Sequence, residues 1–150
     1  MNKIVKIIIV LVFVLAVLFL LALNLPKNNS SISKVCFKDS CFKVEVVSAP
    51  KEMQNGLMFR DYLEKDRGML FIFKREDNYP FWMKNTLIPL DMIWINQNQE
   101  IVFIKENALP CYDVSCPSIE PGQKAKYVLE INGGVSKDVD LKLGDKIILF

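Results

Sequence analysis

Five residues of this 150-residue chain combine the types that a binding pocket uses: Arg60, Trp82, Lys84, Asn85 and Asp91. Four of them fall in the run Phe81 to Asp91, where two large aromatics and a methionine sit beside a cation, an amide and a hydroxyl. Asp91 shares a predicted strand face with Pro89, Ile93 and Ile95, an apolar setting in which a carboxylate needs a partner or holds its proton. If Lys84-Asn85-Thr86 makes a tight turn, Asp91 falls near Lys84 or Arg60 and would orient a ligand or act as a general acid or base. The plainer expectation is a structural ion pair, or a carboxylate that caps turn amides. Trp82 and Met83, with Met58 and Met69, would line a small apolar pocket or pack as ordinary core. Lys84, Asn85 and Arg60 at its rim would suit a carboxylate, a phosphate or sugar hydroxyls. Otherwise Asn85 forms the turn and the two cations stay solvated. Glu130, at the end of an apolar strand, is a second candidate catalytic carboxylate. Paired with Asp91 it would suit glycoside hydrolysis, which depends on their separation.

Histidine is absent, which excludes Ser-His-Asp and Cys-His catalysis and every His-ligated metal site within the chain. Gly133-Gly134 matches neither phosphate-binding glycine pattern and reads as a strand-ending break. No metal site and no cofactor are expected.

The four cysteines form two Cys-x4-Cys pairs, Cys36/Cys41 and Cys111/Cys116. The first pair brackets Lys38-Asp39-Ser40, so in a hairpin its sulfurs would face each other. The second lies between Pro110 and Pro117 in a loop that a local bridge would tie down. Structural disulfides are the leading expectation, although four cysteines allow three connectivities. A four-cysteine metal site is at the edge of the usual ligand spacing, and a redox pair would normally be Cys-x-x-Cys.

These residues need a scaffold and a location. Of the first 26 residues, 21 are apolar, and Ile7 to Leu23 is an unbroken apolar run. A helix over residues 4–25 would be about 33 Å long, enough for a bilayer core. The run is too long for a usual signal-peptide core and ends without a small-x-small site, so residues 1–25 read as an uncleaved anchor rather than a cleaved signal. Lys3 and Lys6 precede it and Lys27 follows, which places the N-terminus in the cytoplasm and the body outside, in a single-pass arrangement at the cell membrane. Disulfides suit that side. Residues 26–33 read as a polar linker and 34–150 as an extracytoplasmic domain. With those three lysines set aside, 16 basic residues face 17 acidic ones, and the body has no basic stripe for nucleic acid.

Along the body, Phe42 to Val47 alternates as a half-buried strand, and Ser48, Pro50 and Gly56 delimit a short helix. Gly68 to Phe73 is a strand buried on both faces, and Asp61 to Arg67 a charged turn before it. Leu87 to Ile95 and Ile101 to Ile104 form a hairpin around Asn96–Gln99. Residues 105–124 read as a long loop, followed by strands at Lys126–Ile131 and Lys146–Phe150. The sum is mainly β (α+β): a small antiparallel barrel or closed sandwich with one or two short helices, preceded by a single transmembrane helix.

Gly56-Leu57-Met58-Phe59-Arg60, Gly68-Met69-Leu70-Phe71 and the run Phe81 to Asp91, with Val128-Leu129-Glu130 and Gly144-Asp145, resemble the core motifs of an uncharacterised prokaryotic family, domain of unknown function 192. The likeness covers roughly residues 42–150. It implies a compact β-rich domain, often exported or membrane-tethered, and supplies no catalytic residues. The cysteine pairs lie outside its general pattern.

The chain is therefore expected to be a membrane-tethered extracytoplasmic binding or interaction module for a small polar ligand, a glycan or an envelope protein. The alternatives are a His-free enzyme using Asp91 with Lys84, Arg60 or Glu130, and a purely structural envelope protein. The expected partners are the lipid bilayer, through residues 4–25, and that ligand or protein, with no nucleic acid.

Overall fold

The structure, a computed structural model, describes residues 2–6, 11–16 and 33–150. The chain divides into two compact units, Met1–Ser30 and Ser31–Phe150. In the first, residues 3–6 and 11–16 are helical. Among the described residues no helix is long and apolar enough to cross a membrane. Most of the expected anchor and nearly all of the linker, residues 26–32, lie outside the described residues.

The second unit is one seven-stranded sheet: β1 (Lys34–Phe37), β2 (Ser40–Val47), β3 (Arg67–Asp77), β4 (Leu90–Ile95), β5 (Ile101–Ala108), β6 (Ala125–Asn132) and β7 (Ile147–Leu149), in the order β5-β4-β6-β3-β2-β1-β7. Two short helices accompany it, α1 (Pro50–Asn55) and α2 (Val135–Asp138). The sheet curls into a half-barrel whose edge strands approach at one end. There Glu100 bridges Lys146, and Ile101 N–H donates to the Asp145 carbonyl at 2.9 Å.

The mainly β reading holds, with one correction to its antiparallel form. β2 and β3 pair in parallel, Val44 against Gly68 and Val46 against Leu70. A parallel pair needs a crossover, and α1 with residues 56–66 supplies it. The helix starts after Ala49 rather than Ser48; Ala49 N–H reaches Glu52 Oε2 at 3.4 Å and Pro50 occupies the first turn.

Other boundaries shift for local reasons. β4 begins at Leu90, not Leu87, because Pro89 has no N–H to give a ladder; its carbonyl instead accepts from Gly133 at 2.9 Å. β5 runs on to Ala108, so the long loop is shorter than expected. Its extension, Lys105-Glu106-Asn107, is solvent-exposed and polar on an edge strand. Lys105 pairs with Met92 and Ala108 with Leu90, and between them the strand bulges at Glu106-Asn107, where Asn107 (φ 47°) gives its N–H to the Asp91 carboxylate.

Alternation along the central strands gives two cores, one on each face of the sheet. Met69, Phe71, Leu90, Met92, Trp94 and Val128 pack on one. Val35, Phe37, Leu70, Ile93, Ile95, Leu129 and Ile131 pack on the other. Burying this apolar area is the main source of stability, about 25 cal/mol per Å². Both expected cysteine pairs are disulfides, Cys36–Cys41 across the β1–β2 hairpin and Cys111–Cys116 in the loop after β5. All four sulfurs are thereby occupied, so neither the four-cysteine metal alternative nor the cross-paired connectivities apply.

Candidate functional site

The candidate residues separate into two places. Asp91 is fully buried on the face of Ile93 and Ile95, as its strand position predicts. Its neighbours, however, are neither Lys84 nor Arg60. Asp91 Oδ1 accepts from the backbone N–H of Asn107 at 2.7 Å and of Gly134 at 2.9 Å, and Oδ2 from that of Ser136 at 2.7 Å. One carboxylate thus ties the end of β5 to the start of α2, the amide-capping role anticipated as the plainer reading. Three charge-assisted bonds offset the cost of burying it.

Arg60 is committed elsewhere, in a two-pronged pair with Glu45 at 2.5 and 2.7 Å. That hydrogen-bonded pair lowers the Glu45 carboxyl and raises the Arg60 guanidinium from their ordinary pKa values. Lys84 Nζ lies 5.4 Å from the Trp82 ring centroid, a cation over an aromatic face. Asn85 forms the predicted turn with φ of 55°, a conformation asparagine tolerates. Its carbonyl accepts from Phe59 N–H at 2.8 Å and its N–H donates to the Cys111 carbonyl at 3.1 Å. The disulfide-tied loop therefore braces the turn.

Glu130 stands in a different setting. In register it lies between Met69 of β3 and Met92 of β4, on the face of the first core. It is only 4% exposed, and its Oε2 is buried with no hydrogen-bond partner. Burial raises its pKa to about 8, an effect that the positive field of Arg60 only partly offsets.

Above Glu130 opens a cleft of about 380 Å³. α1 and the Gly56–Met58 segment form one wall, and Phe71, Phe73 and the Tyr79–Trp82 segment the other. The second wall is held by a network of rings. Phe81 meets Phe71 edge-on at 4.9 Å and Trp94 at 5.5 Å, while Phe73 and Tyr79 stack. Trp94 Nε1–H donates to the Tyr79 carbonyl at 2.8 Å, and Phe81 exchanges backbone bonds with Ile119. Gly56 keeps the floor open: its φ of 47° with ψ of −130° is a glycine conformation, and a Cβ there would stand 3.3 Å from Phe71 Cζ and 3.8 Å from Glu130 Oε2. Glu130 is the only ionisable carboxyl or cation in the lining.

Of the expected ligand-binding residues, only Trp82 lines this cleft; Lys84, Asn85, Arg60 and Asp91 do not. Met58 lines it too, whereas Met69 and Met83 are core. The aromatic wall from β3 and residues 79–81 was missed, because only the β3–β6–β4 order brings it over Glu130. Among the described residues no group of three or more cysteine or acidic side chains is placed to hold a metal.

A curled seven-stranded sheet with an aromatic cleft over one buried carboxyl defines a small β domain with a concave, mostly apolar site. The chain belongs to the family DUF192, described as an uncharacterised ACR, whose model matches residues 33–149. It is also similar to two crystal structures. One, from Sinorhizobium meliloti, is described as a candidate transcription regulator: it is 33% identical, with a TM-score of 0.71 over 77% of this chain and 90% of that one. The other is a protein of unknown function from Novosphingobium aromaticivorans, 34% identical, with a TM-score of 0.70 over 83% of this chain and 89% of that one. No curated protein matches the chain.

Proposed function

We propose that the chain is a membrane-tethered, extracytoplasmic binding module and that the cleft over Glu130 is its binding site. The observation that carries this reading is the unpartnered Oε2 of Glu130 at the floor of an open apolar cleft. Buried polar groups are normally satisfied, so a bound partner's hydrogen bond would complete this one. Pockets of this kind, apolar with a few placed polar groups, are typical of small-ligand sites. The lining suits a ligand with one polar edge, or a side chain of an envelope protein, better than a heavily hydroxylated glycan. The tether is supported by the apolar run Ile7–Leu23 and the lysines before it, and the extracytoplasmic side by the two disulfides.

A catalytic reading has one observation in its favour: a carboxyl held protonated near neutral pH is what a general acid requires. Binding is the better supported, because the cleft offers no second charged group to complete an acid–base pair.

Two measurements on the full chain test the module. Protease added to intact spheroplasts should digest the domain; cleavage only after lysis would invert the topology. Thermal-shift screening of the chain in lipid nanodiscs against small fragments should give hits that are lost in Met58→Trp, which narrows the cleft. Hits indifferent to that change would move the site elsewhere.

A further inference from the structure

Resting on the cleft as binding site, we propose that its ligand is uncharged and presents a planar amide edge, an N–H beside a C=O, on an aromatic or similarly flat apolar body. Three observations select this class.

The first concerns charge. Two cations flank the site: Arg60, whose field reaches Glu130 although Glu45 holds its guanidinium, and Lys84 over the wall residue Trp82. Both oppose a cationic ligand. An anion would have to lie against the carboxyl of Glu130 with only neutral donors in the lining, such as Gln54, Asn55 and Thr86, and no cation there to receive it. The remaining lining is neutral, with Tyr79 its only other titratable group.

The second concerns the edge. A buried, protonated Glu130 is both a donor, through O–H, and an acceptor, through C=O. An amide edge answers both in one plane and satisfies the orphaned Oε2. An ether only accepts, and an alcohol must donate and accept through one oxygen, so neither gives the two parallel bonds that an amide edge does.

The third concerns the walls. Phe71, Phe73, Tyr79, Phe81 and Trp82 line the cleft with ring surface. Rings pack well edge-to-face or offset-stacked. Gly56 leaves room directly beside Oε2 for the polar edge to arrive.

The test uses four probes of one size: benzamide, benzylamine, benzoate and toluene. Each is titrated against the full chain in lipid nanodiscs by calorimetry and ligand-observed NMR. Benzamide should bind at pH 6.5 at least about tenfold tighter than the other three, the scale of one lost buried hydrogen bond. Its affinity should fall above pH 8, where Glu130 ionises and loses its donor. Glu130→Leu should weaken it by about tenfold or more, while Glu130→Gln, which keeps a donor and an acceptor in one plane, should stay within about threefold and lose the pH dependence. Melting curves of both variants verify folding, and the Gln variant keeps the test open if the Leu variant fails. Preference for benzylamine, rising through pH 8 and lost in Glu130→Gln, would overturn the amide class and leave the cleft as the site. Preference for benzoate or toluene would do the same. If none of the four binds, the cleft itself is not the binding site.

Discussion

Asp91 and Glu130 stand on paired neighbouring strands one register step apart, and their carboxyls leave the sheet on opposite faces. Asp91 is paired with Ile131 and Met92 with Glu130, so strand alternation sends the two acids apart. One meets three amides and the other meets none. A paired-carboxylate mechanism across them is therefore ruled out by the register itself.

Asp91→Asn should destabilise the domain rather than alter ligand binding. The substitution sets an NH₂ against a backbone donor and removes the charge from the remaining bonds, a loss of roughly 2–4 kcal/mol. Urea unfolding of wild type and variant at pH 7 measures it. An unchanged midpoint, with ligand affinity lost, would return Asp91 to the list of binding residues.

Glu130 predicts a pH dependence of stability. Its folded pKa of about 8 lies above the ordinary value of 4.5. Below about pH 4.5 both folded and unfolded chains hold the proton, and its titration contributes nothing to stability. As pH rises to about 8 the unfolded chain releases the proton first, so stability falls across that window, by at most roughly 5 kcal/mol. Glu130→Gln should flatten that fall: its melting temperature relative to wild type should rise steadily between pH 4 and pH 8. A pH-independent difference would show that Glu130 is ionised and solvated in the folded chain.

Gly68→Ala should be the more damaging of two glycine substitutions. Its Cβ would lie 2.6 Å from the Glu130 carbonyl oxygen, a backbone atom in the middle of the sheet, whereas Gly56→Ala meets the Phe71 ring edge at 3.3 Å. Strand separation is costlier than a ring shift, so Gly68→Ala should lose at least about 2 kcal/mol. Gly56→Ala should lose about 1–3 kcal/mol through its backbone conformation and should also weaken any cleft ligand. Denaturation and titration of the two variants separate these effects.

The two disulfides should contribute comparable stability and different local order. Each closes a small loop, worth about 2 kcal/mol on the chain-entropy model. Reducing Cys111–Cys116 should additionally loosen the Asn85 turn, because the Asn85 N–H bonds the Cys111 carbonyl. Thiol titration before and after reduction, with amide exchange at Asn85, distinguishes the bridges. Free thiols in oxidised protein would contradict the pairing.

Much of this fold was legible in local pattern. The alternation of Phe42–Val47, the apolar run of Gly68–Phe73 and the turn at Asn96–Gln99 each specify structure within a few residues. The Lys105–Asn107 extension was not, because its residues are exposed on an edge strand and bulge at Glu106-Asn107, so they carry neither a burial signal nor a strand alternation. Asp91 was recognisable as a buried acid needing partners, but those partners lie 16, 43 and 45 residues away. Glu130 was visible as an acid in an apolar strand; its cleft was not, since α1, β3, residues 79–82 and β6 meet only through the strand order.

The chain's last residue is stitched to the start of its first strand. The Phe150 carbonyl accepts from Ser33 and Lys34, and Phe150 N–H donates to the Lys34 carbonyl. β1 lies inside the sheet, between β2 and β7. A pull on the amino-terminal end of the domain is thus shared at once by the ladders to β2 and β7 instead of falling on a single edge pairing.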